Sequence, residues 1–192
     1  MKTRYVFLIF LISGLGIISC QNQSESTRVN DSTEKVYYFD FDEVDHYSIK
    51  ISGSAIDSLS YNSDSLPEPQ KFLSEMVLRN VPESILDTAF IANLESVGFI
   101  KHDIPEDKND ALNDIFREKT FDPLDPSSMC MPEYRDILIF RKSGAITGIV
   151  KVCFVCSVIL IRGTDAETKY FGADRGYQKL QVILYSEKLK SD

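Results

Sequence analysis

The chain is 192 residues long, 43% hydrophobic and 26% charged, with a formal net charge of −8. That acidic balance, with no basic stripe along the sequence, repels phosphate backbones and argues against nucleic acid as a partner. The stretch beyond residue 35 is one ordinary domain in length, enough to bury a real core, so cysteines are not needed to compensate for small size.

The chain opens Met1-Lys2-Thr3-Arg4, a short basic start, and then runs apolar from Tyr5 to Ser19 apart from two serines and two glycines. This is the order of a secretory signal, and it falls short of the roughly 20 apolar residues that span a bilayer. The run ends at Ile17-Ile18-Ser19-Cys20. That ending resembles the lipobox of bacterial lipoproteins, in which a small residue precedes a lipid-modified cysteine; Ile18 departs from the alanine or serine commoner there. The resemblance implies a signal peptide over residues 1–19, lipid on Cys20, and a membrane reached through that lipid. Losing Lys2 and Arg4 with the signal takes the net charge from −8 to −10. Anionic head groups then add no attraction, and the lipid must do the anchoring. Gln21 stands where an aspartate retains such proteins in the inner membrane of enteric bacteria, so the resemblance points to the outer membrane. From Gln21 to residue 35 the chain is polar and without periodicity, too poor in apolar surface to order. Residues 20–35 are therefore expected to form a lipidated tether.

Residues 36–41 and 47–51 are rich in aromatic and β-branched side chains and predict strands, with Tyr47, Ile49 and Ile51 on one face. Residues 52–70 are dominated by Ser, Asp, Asn and Pro and predict a loop, although Ile56 and Leu59 need packing partners. Three helical patches follow. Residues 69–79 set Phe72, Met76 and Arg79 along one side. Residues 82–97 begin with a proline, carry an apolar stripe through Phe90 and Leu94, and meet Gly98 as a stop. Residues 105–119 place Glu106 and Asp107 in the first turn and Leu112, Ile115 and Phe116 on the apolar face. Residues 120–133 hold Pro123, Pro126 and Pro132 and predict a loop. Residues 134–141 and 146–161 predict two strands about a Ser143-Gly144 turn, and residues 176–189 a helix with Tyr177, Leu180, Ile183 and Leu184 on one face. The expected architecture is a single α+β domain over residues 36–192, an antiparallel sheet or hairpin with helices packed on one side.

A two-residue turn at Ser143-Gly144 pairs Asp136 with Lys151, Ile137 with Val150, Ile139 with Gly148, Tyr134 with Cys153 and Met131 with Cys156. Cys130 then falls beside Cys156, and a three-residue turn leaves them close. Cys153-Phe154-Val155-Cys156 is a C-x-x-C. Residues three apart on a regular strand point to opposite faces, so these thiols act together only where the chain bulges or turns.

The stretch Cys130-x-Pro132-x-Tyr134-Arg135-Asp136-Ile137-Leu138-Ile139-Phe140, followed by Val152-Cys153-Phe154-Val155-Cys156, resembles a group of uncharacterised exported proteins and lipoproteins, many from Bacteroidota. They share a cysteine, a short basic-acidic strand and a C-F-x-C strand. The group has no established activity, so the likeness supplies a pattern and no function.

With Cys20 taken by lipid, three thiols remain. The simplest use is a structural disulfide, Cys130 to Cys156, in an oxidising compartment. A metal site is the second reading. Cys130, Cys153 and Cys156 with His46 or His102 supply ligands for zinc, and Met129 and Met131 beside Cys130 would suit Cu(I). Thiol redox exchange is the third, although the usual redox C-x-x-C sits at a helix N-terminus and this one does not. Plain buried thiols are the fourth. Haem attachment fails because Ser157 stands where histidine must follow.

The only histidines, His46 and His102, are expected at the surface. Asp40, Asp42, Glu43 and Asp45 read as a solvated acidic edge, without the spacing of a calcium loop. Arg135 and Asp136 read as an ion pair at the sheet edge, with a ligand-binding arginine as the alternative. No catalytic constellation stands out, which leans away from an enzyme. Two functions are carried forward. One is a non-enzymatic, cofactor-free envelope module binding a ligand or protein partner. The other is a metal-binding (zinc or copper) or thiol-redox protein.

Overall fold

The computed structural model of the protein describes residues 35–61, 65–120 and 130–185. The signal, Cys20, nearly all of the tether, Met129 and the expected helix end at 186–189 lie outside the described residues. From residue 35 onward they form one compact unit. Among them no helix is long and apolar enough to cross a membrane.

The sheet grows around a central strand with an unbroken apolar run. Strands β1 (Glu43–Ser48), β2 (Ile100–Asp103), β3 (Asp136–Lys142), β4 (Ala145–Cys153) and β5 (Val158–Arg162) lie in the order β2-β1-β3-β4-β5, every neighbouring pair antiparallel. Central β3 reads Ile137-Leu138-Ile139-Phe140, apolar at every position, and all four side chains are fully buried. Successive side chains on a strand point to opposite faces, so an unbroken apolar run demands cover on both. Ile137 and Ile139, with Ile149, pack against α1 (Gly53–Tyr61), α2 (Glu68–Leu78), Phe90 and Leu94. Leu138 and Phe140, with Val150 and Val152, pack against α3 (Asn109–Ile115), α4 (Gly176–Tyr185) and the aromatic segment Tyr38-Phe39-Phe41. The α+β class and the antiparallel sheet stand as read from the sequence, with helices covering both faces instead of one.

Several elements differ from expectation for physical reasons. Residues 36–41 make no ladder beyond an isolated bridge between Tyr37 and Arg117, because their aromatic rings lie over the sheet as core. The expected loop over 52–70 contains α1; Ser52 Oγ accepts from the Ala55 backbone N–H, and Ile56 and Leu59 supply a buried stripe. The expected helix over 82–97 is broken into turns and two short 3₁₀ segments, Ile91–Asn93 and Glu95–Val97. The backbone before it is held elsewhere. The Lys151 ammonium donates to the carbonyls of Arg79 (2.7 Å) and Val81 (2.9 Å), and the Arg162 guanidinium to those of Pro82 (3.1 Å) and Asn80 (3.4 Å). Gly98 does end the segment, at φ +100°.

The Ser143-Gly144 turn forms with both residues at positive φ, 49° and 81°, as a two-residue hairpin requires. Lys142 pairs with Ala145 and Arg141 with Ile146 as expected. A bulge between Phe140 and Arg141 then shifts the ladder by one, so Asp136 lies opposite Val152 and Ile137 opposite Lys151. The expected Asp136–Lys151 pair is therefore not made. The shift sets Phe140 opposite Gly148, and the Phe39 ring lies over that glycine, where a Cβ would come within 2.4 Å of it. The expected strand over 146–161 is two strands, because the chain turns at residues 154–157.

Candidate functional site

The end of the sheet where β3 begins collects most of the chemistry. Asp136, the first residue of β3, is buried, and its Oδ1 lies 2.7 Å from His46 Nε2 on neighbouring β1. The Tyr185 hydroxyl, in the last described turn of α4, donates to the same oxygen. Burial first, and then the Asp136 carboxylate, raises the Tyr185 pKa, which keeps that hydroxyl a donor. On the same face Ser48 Oγ lies 3.0 Å from His102 Nε2, and the two imidazoles sit 5.3 Å apart across the β1–β2 pair.

These groups do not make a nucleophilic relay. Such a relay passes the serine proton to the histidine that the carboxylate orients. Here Ser48 contacts His102, while Asp136 holds His46. Ser48 is also buried and is not among the residues that line the larger cavity beside this cluster. His46 is 1% exposed, a core histidine fixed by a carboxylate, not the surface residue expected from the sequence. Arg135 and Asp136 are not paired with each other: Arg135 Nη2 donates to Glu133 Oε2 at 2.7 Å, and Asp136 turns inward.

Two cavities open beside this cluster. The larger, about 540 Å³, is bounded by Ile49, Lys50, Ile51 and Ser52 at the exit of β1, by Arg135 and Asp136, by Phe154 from the β4–β5 turn, and by Gln181 and Tyr185 one turn apart on α4. A backbone hydrogen bond from Ile49 N–H to the Arg135 carbonyl, 3.0 Å, joins the first two walls. The smaller cavity, about 110 Å³, shares Arg135, Asp136 and Phe154 and is closed by Cys130, Cys153 and Cys156. Arg135 Nε is a buried nitrogen with no hydrogen-bond partner.

Cys130 and Cys156 are joined by a disulfide, with Cα atoms 5.7 Å apart and a sequence separation of 26. Cys153 is a buried free thiol packed with Tyr134 and Leu160. The turn after β4 brings Cys153 and Cys156 to the two ends of one tight bend. That is the irregularity a C-x-x-C in a strand requires. Met131 is 77% exposed. Among the described residues no group of three His, Cys, Asp or Glu is placed to hold a metal ion. Zinc or copper on the three thiols would require the disulfide to be reduced first.

The acidic edge also resolves into structural contacts. Asp45 is buried between Lys101 Nζ (2.8 Å) and Arg141 Nε (3.1 Å), Asp40 pairs with Lys142 at 3.0 Å, and Asp42 accepts from the Ser143 backbone N–H. Lys50, Ser52, Gln181 and Tyr185 are wall residues that sequence reasoning did not single out. Each is an ordinary polar residue in its own segment and becomes part of a site only through the tertiary fold. Comparison with family models, curated proteins and solved structures found no match for this chain.

Proposed function

We propose that the protein is a lipid-anchored lipoprotein of the cell envelope, in the outer membrane, whose folded domain is a non-enzymatic binding module. The cleft bounded by Lys50, Arg135 and Phe154 is its ligand site, and the Cys130–Cys156 disulfide is a fastener for the wall of that site. The observation that carries this reading is the junction of disulfide and cleft. The bond ties the segment ahead of β3 to the β4–β5 turn, and these two segments supply Arg135 and Phe154. A cavity of about 540 Å³ lies in the range of small-molecule sites.

Anchoring rests on the signal-like start and Ser19-Cys20. Cells expressing the full chain and fed an alkyne-tagged palmitate test it. The wild type should carry the tag and fractionate with the outer membrane, and Cys20→Ala should lose the tag. A tag retained in Cys20→Ala would sink the anchor.

Thiol exchange is the second reading, favoured by one observation. Cys153 is a free thiol at the opposite end of the turn that carries Cys156. Under that reading Cys153→Ser abolishes exchange with a small disulfide reagent, whereas under the fastener reading it changes nothing beyond packing.

A further inference from the structure

We infer that the cleft at the head of β3 takes a small molecule that presents a carboxylate on an apolar body. This rests on the binding-module reading and names the ligand class for that same site.

The chain is acidic overall, yet this cleft is walled by two cations, Lys50 and Arg135. Elsewhere on the sheet Lys101 and Arg141 are matched to Asp45 and Lys142 to Asp40, while Lys151 and Arg162 donate to backbone carbonyls. Lys50 makes no ion pair among the described residues, and Arg135 commits one nitrogen, Nη2, to Glu133. Its Nε is buried without an acceptor. A charged donor removed from water and left without an acceptor is a standing cost. A small rotation of the guanidinium onto a planar anion relieves it, and an arginine fork matches a carboxylate in shape.

The one acidic wall residue does not cancel this. Asp136 is the carboxylate of the cleft, but its Oδ1 is held by His46 Nε2 and the Tyr185 hydroxyl. That oxygen is therefore already engaged by two protein groups. The other walls are the apolar Ile49, Ile51 and Phe154 and the polar Ser52, Gln181 and Tyr185. An apolar body fits the apolar walls, and a bare inorganic anion would leave them uncovered. The cleft thus sets apolar walls beside polar groups that can fix a ligand's orientation, as small-molecule sites do.

The test uses the full chain in detergent micelles, labelled with ¹⁵N, and a pair of probes that differ by charge alone: N-acetylphenylalanine and N-acetylphenylalaninamide. The carboxylate is expected to move the Arg135 Nε–H resonance saturably. Lys50→Gln and Arg135→Gln are each expected to weaken binding about ten-fold or more, the loss that follows from one charge-assisted hydrogen bond. Lys50 is exposed, so its variant keeps the fold even where an Arg135 variant does not. Equal binding of the amide would overturn the carboxylate assignment while leaving the cleft as a binding site. No shift from either probe would overturn the assignment and remove the cleft as the site. Saturable shifts unaffected by both variants would place the ligand elsewhere and overturn it as well.

Discussion

His46 Nε2 lies 2.7 Å from Asp136 Oδ1, across two adjacent strands and 90 residues apart in sequence, with the histidine almost wholly buried. Because Tyr185 donates to that same oxygen, one carboxylate holds two strands and a helix at the mouth of the cleft. Asp136→Ala removes the carboxylate that meets a buried imidazole and a half-buried phenol. It should cost about 1–3 kcal/mol, and Tyr185→Phe about 0.5–1.5 kcal/mol. Urea unfolding of each variant measures these losses. Because the three residues share one oxygen, the double variant should lose less than the two single losses added together.

The disulfide should matter to stability in proportion to the loop it closes. Cys130→Ser and Cys156→Ser are each expected to cost about 2–4 kcal/mol. Dithiothreitol should lower the unfolding midpoint of the wild type and leave those of the variants unmoved. A wild-type midpoint insensitive to reductant would remove the fastener role.

Gly148 is glycine because Phe39 occupies its side-chain space. The ring lies where a Cβ would come within 2.4 Å, and it packs on Phe140 at 4.5 Å. Gly148→Ala should therefore cost about 1–3 kcal/mol from overpacking. A Phe39→Leu background should absorb part of that loss, which thermal unfolding of the four proteins in the cycle would reveal.

Lys151 is fully buried without a carboxylate partner, over the Tyr134 ring at 4.7 Å. Burial, with the Arg162 charge adding to it, pulls its pKa from 10.5 to about 7. Between those values the unfolded chain holds a proton that the folded chain has released, so stability rises with pH across that window. Below about 7 both states are protonated and the full burial cost is present. The neutral amine still has two N–H donors for the carbonyls of Arg79 and Val81. Lys151→Met should flatten the rise in stability between pH 7 and pH 9. It should also lose about 1–3 kcal/mol at pH 9 as both carbonyls go unpaired.

The sequence carried the α+β class, the Ser143-Gly144 turn and the closeness of Cys130 to Cys156. These follow from local turn chemistry and strand alternation, and the cysteine proximity survived a one-residue bulge. Other features were hidden for identifiable reasons. Helix α1 is written in Ser and Asp, which read as loop until Ser52 is seen to cap it. The apolar periodicity of residues 82–97 looks helical, but four consecutive carbonyls just ahead of and at its start are claimed by Lys151 and Arg162. Strand β2 is short and charged, and its edge position is set by pairing with β1. The burial of His46 and the cleft around Arg135 depend on contacts made across the whole chain, which no window of sequence contains.

The most direct measurement of the central claim is the intact mass of the mature lipoprotein, extracted from the envelope without reductant. It is weighed once natively and once after denaturation with iodoacetamide. The account predicts lipid on Cys20, no bound metal ion and a single alkylated cysteine, Cys153, with Cys130 and Cys156 protected by their bond. A zinc or copper ion carried natively, with all three cysteines alkylated once it is released, would contradict it.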